Sequence, residues 1–291
     1  MSGWAGLSRV KECLRLARIA NSLMVGLAVL VGLAIVTRGD LLGLGVRALA
    51  LAYMTGCCIS ASSMILNDIV DVEIDRINQP NRPLVAGTIS MKTAWLCYLA
   101  TSIAGITASS LLGLWPLVVA VLGWLVGSVY DVWGKRSGFP GNLMVAFSTS
   151  LPFPYAMAVA GVWTPAITVF WIMVFLTVLG REIAKDIADV EGDRRAGART
   201  LPIILGEGPS SLIAGTLYLA AVLLSPLPVY WRAVHPLAYT IFVAVVDAIL
   251  VYEALRLARD HSRERIYVHK RNILLAMLLG LLGFMAGSIA G

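Results

Sequence analysis

From Ala17 to Val36 the chain runs twenty residues with Arg18 as the one charged side chain. That is the length of apolar helix needed to cross a hydrocarbon layer. The pattern recurs at Val46–Leu66, Thr93–Leu112, Leu114–Tyr130, Asn142–Ala160, Ala166–Ile183, Ser211–Val229, Leu237–Leu257 and Ile273–Ala290. Nine spans are therefore expected. Lipid offers no water to a bare backbone, so segments of this length are helical and the fold class is all-α. Breaks fall at Gly113 with Trp115 and Pro116, at Gly161 with Trp163–Pro165, and at Pro226 with Pro228. Trp115, Trp163 and Trp231 suit a headgroup belt. With 58% hydrophobic and 14% charged residues among 291, and a mean hydropathy of +0.82, an ordinary soluble domain is excluded. One integral membrane domain over residues 1–291 is expected.

Charge sets the orientation. With the N-terminus in the cytoplasm, 20 of the 23 Lys and Arg residues fall on that side, leaving Arg38, Arg47 and Arg232 near the outer face. The net charge of +6 thus follows membrane topology, and no nucleic-acid partner is implied. Met1–Leu16 carries Arg9, Lys11 and Arg15 beside Leu7, Val10 and Leu14, a pattern suited to lying on a membrane surface. It has no small-residue cleavage site of a signal peptide. Cys13, Cys57, Cys58 and Cys97 lack metal-type spacing and read as packing residues. His235, His261 and His269 are scattered at the flanks of apolar segments.

Within this apolar background stand two acidic runs. Asn67–Arg76 places Asp68, Asp71 and Asp75 at i, i+3 and i+7, a spacing that puts three side chains on one face of a helix. The run returns 118 residues later, where Asp186–Arg194 matches Asp68–Arg76 at seven of nine positions and supplies Asp186, Asp189 and Asp193. The two read as halves of one site. A solvated helix end is the plain alternative, but carboxylates directly after long apolar segments are costly and mark functional cavities. Six aspartates together repel one another, and divalent metal shared with an anionic substrate relieves that. Both runs end spans that cross in the same direction, so the repeats are expected to be parallel and cytoplasmic.

Three inner loops bring cations near these carboxylates. Arg82 sits between Asn81 and Pro83, Lys135 lies five residues past Tyr130, and Arg199 follows the second run. In the first span Arg18 and Asn21, one turn apart, either face a polar cavity or sit at the interface. Metal, arginine and lysine at the mouth of an apolar cavity fit a diphosphate head on a long hydrocarbon tail, as in prenyl diphosphates. The allylic carbon–oxygen bond of such a donor ionises when charge on the departing pyrophosphate is stabilised, so no strong protein nucleophile is required.

The Asn-Asp-x-x-Asp-x-x-x-Asp run, the Arg-Pro-Leu-x-x-Gly after it, the Tyr-to-Lys loop and the second Asp-x-x-Asp-x-x-x-Asp resemble the UbiA superfamily of intramembrane prenyltransferases. The resemblance covers most of the chain. It implies nine transmembrane helices around a central cavity, with Mg2+ and a prenyl diphosphate held by the two runs. Carried over, it makes Asn67, Asp71 and Asp75, with Asp68, the first metal and diphosphate set, and Asp186, Asp189 and Asp193 the second. Arg82 and Lys135 match the basic positions that grip the diphosphate, and Tyr130 matches a tyrosine at the reacting end. The repeat is imperfect where Lys185 answers Asn67, and a lysine there suits a phosphate better than a cation.

Within the superfamily, Arg181–Asp193 is most similar to the branch that moves a geranylgeranyl group onto geranylgeranylglyceryl phosphate, forming the second ether of archaeal lipids. A cation beside the second run, Lys185 or Arg181, suits an acceptor that carries phosphate. An aromatic acceptor, as in quinone biosynthesis, is the alternative, and a cation transporter is a third reading from another class. Membrane lipids are the expected surroundings, and no obligate protein partner is implied. Cysteine-accessibility mapping should place residues flanking Asp71 and Asp189 both on the cytoplasmic side. Opposite sides would overturn the parallel repeat.

Overall fold

The computed structural model describes residues 10–195, 197–260 and 262–291. Of the stretch Met1–Leu16, expected from its sequence to lie on a membrane surface, residues 1–9 with Arg9 lie outside the described residues, as does His261, while residues 10–16 are helical. A helix or helix pair stands at each expected position: Ile19–Val36, Val46–Val70, Met91–Ser110, Leu114–Val132, Phe139–Ser150 with Pro152–Ala160, Pro165–Arg195, Glu207–Leu224 with Leu227–Tyr230, Pro236–Arg259 and Arg263–Ala290. No strand occurs among the described residues. By length and composition six of these helices can cross a membrane, or seven if the Phe139–Ser150 and Pro152–Ala160 pair, bent by 42°, is one span. Met91–Ser110 and Pro236–Arg259 are not among the six.

Two differences from the spacing-based expectation bear on the acidic runs. The first run does not lie on one unbroken helix: Val46–Val70 ends at Asp71, and a short helix Val72–Asn78 begins after it. The amides of Asp71 and Asp75 still bond the carbonyls four residues back, at 3.0 and 2.8 Å, so the face is kept across the joint. The second run, by contrast, is fully helical, because Pro165–Arg195 continues for 31 residues through Asp193.

The chain divides into two compact units. The first comprises residues up to Leu30 and Leu42–Val132. Its core joins Leu16, Ala61, Ile65, Leu66, Ala94 and Tyr98. Backbones approach closely where side chains are smallest, since a Cβ on Gly56 would lie 3.1 Å from the Gly26 Cα. The Trp124 indole donates to Ser102 at 3.0 Å, so a polar group on an apolar helix finds its partner on the next one. Outward-facing Leu96, Leu99, Ile103, Leu122 and Leu125 are exposed, as lipid-facing side chains are.

The second unit comprises Val31–Leu41 and Trp133–Gly291. Phe170 stacks on Phe284 at 4.0 Å, with Tyr239 alongside Phe284 at 6.2 Å. A buried polar chain crosses its helices nearby. The Tyr218 hydroxyl lies 2.9 Å from His269 Nε2, His269 Nδ1 lies 2.8 Å from Glu253, and Asn272 donates to the other Glu253 oxygen at 2.5 Å. With its proton on Nδ1, the imidazole donates to Glu253 and accepts from Tyr218, which satisfies every member. Among the described residues, Arg18, Arg38 and Arg232 are the non-glycine positions with left-handed backbone, at φ 43°, 52° and 53°.

Removing the imidazole takes one of two donors from a buried carboxylate, Asn272 being the other, whereas removing the Tyr218 hydroxyl costs one neutral hydrogen bond. His269→Ala should therefore lose about 1.5–3 kcal/mol of stability, and Tyr218→Phe about 1 kcal/mol. Melting of both variants in detergent checks the order, and equal losses would mean that the chain is not closed as described.

Candidate active site

In the first unit the acidic run is neutralised by arginine. Asp68, 3% exposed, takes Arg18 at 2.8 Å and Arg82 at 3.0 Å, and Arg82 also pairs with the buried Asp75. Arg82 thus bridges two aspartates seven residues apart, which places both on one face. Arg18 reaches Asn67 at 3.3 Å as well. It does so from the turn at Ala17–Arg18 that separates helical residues 10–16 from Ile19–Val36. Left-handed backbone in a branched-free but long side chain costs about 1–2 kcal/mol and is tolerated where the surroundings hold it. Asn21 is exposed, and it lines with Arg18 an open recess that also takes in Lys11, Leu14 and Arg15.

Arg82 owes its aim to its loop. The carbonyl of Pro83 accepts from the amides of Thr88 and Ile89, folding residues 83–89 back on themselves. Glu12 accepts from Thr88 at 2.9 Å, and Arg15 donates to Glu12 at 3.0 Å and to the Asn81 carbonyl at 3.3 Å. Hydrogen bonds from Arg15 and Thr88 hold the Glu12 carboxyl below the usual carboxylate range. Asp131, also buried, accepts from Ser63 at 3.1 Å and from Asn67 at 3.3 Å, which fixes the helix end carrying the half-buried Tyr130. Asp71 is half-buried at the helix joint.

The second unit braces its run differently. Asp186 is buried and accepts from Asn142 at 2.7 Å. One and two turns further along the same helix come Asp189 and Asp193, both half-buried. Lys185 lies 3.3 Å from Glu182, whose other oxygen takes Arg181 at 2.5 Å. Asn142 was not anticipated from spacing, although an Asn inside an apolar segment just beyond the Lys135 loop is itself a signal. Glu182 was likewise missed.

Backbone packing brings the basic loops of this unit together. Gly138, at φ 72°, closes the loop carrying Lys135 and lies so close to the Arg199 carbonyl that no Cβ fits between them. The Arg199 loop in turn is tied to the second run by the Ala198 amide, which bonds the Asp193 carbonyl at 2.9 Å. Lys135, Arg199, Asn142 and the aspartates of the second run thus belong to one end of one unit. Among the described residues no three His, Cys, Asp or Glu groups form a ready metal cluster. The carboxylate oxygens are nevertheless the hard donors that magnesium takes.

Apolar helices long enough to cross a membrane, with buried carboxylates braced by arginines in one unit and by an amide in the other, define an integral membrane protein. Residues 25–279 match the UbiA prenyltransferase family. The digeranylgeranylglyceryl phosphate synthase of Archaeoglobus fulgidus is 36% identical over 277 residues, 94% of each chain. That of Methanosphaera stadtmanae is 32% identical over 279 residues, 95% of this chain and 98% of its own. A solved structure concerned with a digeranylgeranylglyceryl phosphate synthase in membranes superposes with a TM-score of 0.88 at 28% identity, covering 97% of this chain and 99% of its own. A UbiA homologue from Archaeoglobus fulgidus bound to DMAPP and Mg2+ shares the fold, with a TM-score of 0.68 at 20% identity over 96% of this chain and 99% of its own. The chain belongs to the UbiA prenyltransferase family, and it is a membrane prenyltransferase.

The loop contact gives a direct test. Gly138→Ala forces a left-handed alanine, costing about 1–2 kcal/mol, and adds a clash with the Arg199 carbonyl. Its melting temperature in detergent should fall accordingly, and an unchanged value would mean that the two loops do not meet as described.

Proposed function

We propose that the chain transfers a geranylgeranyl group from geranylgeranyl diphosphate to the free hydroxyl of geranylgeranylglyceryl phosphate, releasing pyrophosphate. The observation that carries this reading is the end-to-end similarity to digeranylgeranylglyceryl phosphate synthases, which spans 94% of the chain in the Archaeoglobus fulgidus relative. It favours a lipid-phosphate acceptor over an aromatic one.

In the reaction the allylic carbon–oxygen bond breaks, the acceptor oxygen bonds to that carbon, and the hydroxyl proton departs. Asp71, Asp75, Asp189 and Asp193, with Asp68 and Asp186, would hold magnesium, which when bound supplies positive charge to the departing pyrophosphate. Arg82 and Lys135 grip the diphosphate oxygens. Arg18 and Asn67 hold the first run in place, and Tyr130 lines the reacting end. Lys185 and Arg199 contact substrate from the second run and its loop, and Asn21 is placed with the substrate-binding groups at the first span. Residues 1–291 form one catalytic domain, a reading that the family match over residues 25–279 supports. Nine spans in two parallel repeats, with the reaction on the cytoplasmic side, complete the reading, supported by the charge bias and the repeated run.

Pyrophosphate release by purified protein, given geranylgeranyl diphosphate and Mg2+, should require geranylgeranylglyceryl phosphate. Asp71→Ala and Asp189→Ala should each lower kcat by roughly 10²–10³, the loss seen when one preorganised charge stabiliser is deleted. Release with hydroxybenzoate instead would replace the acceptor. Retention of full rate in either variant would remove that aspartate from the site.

A further inference from the structure

The Arg181–Glu182–Lys185 cluster is not absorbed by the handling of the donor. Arg181 lies one turn before Lys185 and two turns before Asp189 on the same helix, and steps of four residues hold these side chains to one stripe. Glu182, 5% exposed, takes Arg181 on one oxygen and Lys185 on the other. Arg181 Nε is buried and has no hydrogen-bond partner among the described residues. A buried guanidinium donor left over calls for an acceptor, since such groups are nearly always satisfied in folded proteins.

The chemistry of the two substrates says where that acceptor belongs. The donor carbon under attack separates the departing diphosphate from the incoming hydroxyl, so a phosphate on the acceptor's glycerol must lie beyond the reacting carbon, away from the diphosphate. Helical rise puts Lys185 about 6 Å and Arg181 about 12 Å along the helix from Asp189. Measured from Asp186, the nearest aspartate of the run, Lys185 stands beside the diphosphate end and Arg181 about 7.5 Å back along the helix, so the pair leads from the metal-holding run toward an anion displaced from it. The stripe is held rigidly. A Cβ on the adjacent Gly180 would lie 2.7 Å from the Tyr218 ring, so Tyr218 seats directly on this backbone, with its hydroxyl anchored through His269 to Glu253.

We propose that Arg181 and Lys185 form the subsite for the acceptor's phosphate monoester, with Glu182 as the positioning residue that orients both cations. The subsite rests on the lipid-phosphate reading and makes this cluster the determinant of acceptor choice. Charge-assisted bonds of this kind discriminate strongly against an acceptor that lacks the anion.

Steady-state kinetics with geranylgeranyl diphosphate, Mg2+ and either geranylgeranylglyceryl phosphate or the uncharged geranylgeranylglycerol test it. Wild type should prefer the phosphate. Arg181→Gln should raise the phosphate acceptor's KM roughly tenfold or more, leave donor KM unchanged and shrink the preference, and Arg181→Lys should restore part of it. Glu182→Gln should move acceptor KM in the same direction. If Arg181→Gln does not fold, Lys185→Gln carries the test. An unchanged acceptor preference, or donor and acceptor KM rising together, overturns the subsite while leaving the function intact. No turnover of the phosphate acceptor by wild type overturns the functional reading and the subsite with it.

Discussion

A carboxylate on an apolar helix must be neutralised where it stands, and the first unit is arranged around that requirement at Asp68. Two guanidiniums converge on its 3%-exposed side chain. One comes from a turn before the first long helix and the other from a loop after the short helix that follows the run. To deliver them the chain breaks its helix at Arg18, folds residues 83–89 on the Pro83 carbonyl, and ties that loop to Glu12 and Arg15. An exposed ion pair would contribute little, but a buried carboxylate stripped of one partner is severely penalised. These loops are thus held by electrostatics as well as by the packing of Leu84 and Ile89 on the core of the unit.

The second unit holds its buried carboxylate by other means. Asp186 relies on an amide, Asn142, and its neighbouring cations are held by Glu182. An amide leaves the carboxylate's charge in place, whereas an arginine cancels it. Seven matching positions in sequence therefore conceal two unlike electrostatic settings, and the lysine standing opposite Asn67 is the visible trace of that divergence.

Much of the helical layout was legible because lipid makes period and length decisive: the apolar segments, Gly113 and Gly161 as breaks, and the shared face of the acidic runs all lie in local pattern. Helix ends were less so. The second motif helix passes beyond Ile183 through Asp193, since polar residues extend a helix as readily as apolar ones once it leaves the hydrocarbon. The break at Asp71 carries no Gly or Pro to announce it. Long-range polar partners were beyond reach, because Asn142 and Asp186 are 44 residues apart and Tyr218 and His269 are 51 apart, and no local spacing encodes such pairs. Arg82 was legible as a cation near the first run, but its hold on both Asp68 and Asp75 required the loop's fold.

The left-handed arginines carry a further implication. Glycine would make the same turns at Arg18, Arg38 and Arg232 without backbone cost. Arginine makes them only where something receives its charge: a carboxylate at position 18, and the water or headgroup layer at a helix end that abuts it. A glycine turn forms at any depth in a bilayer, whereas an arginine turn is anchored to the polar boundary. The stops after Ile19–Val36 and Leu227–Tyr230 accordingly act as depth gauges, setting the height of their helices against the lipid as well as ending them.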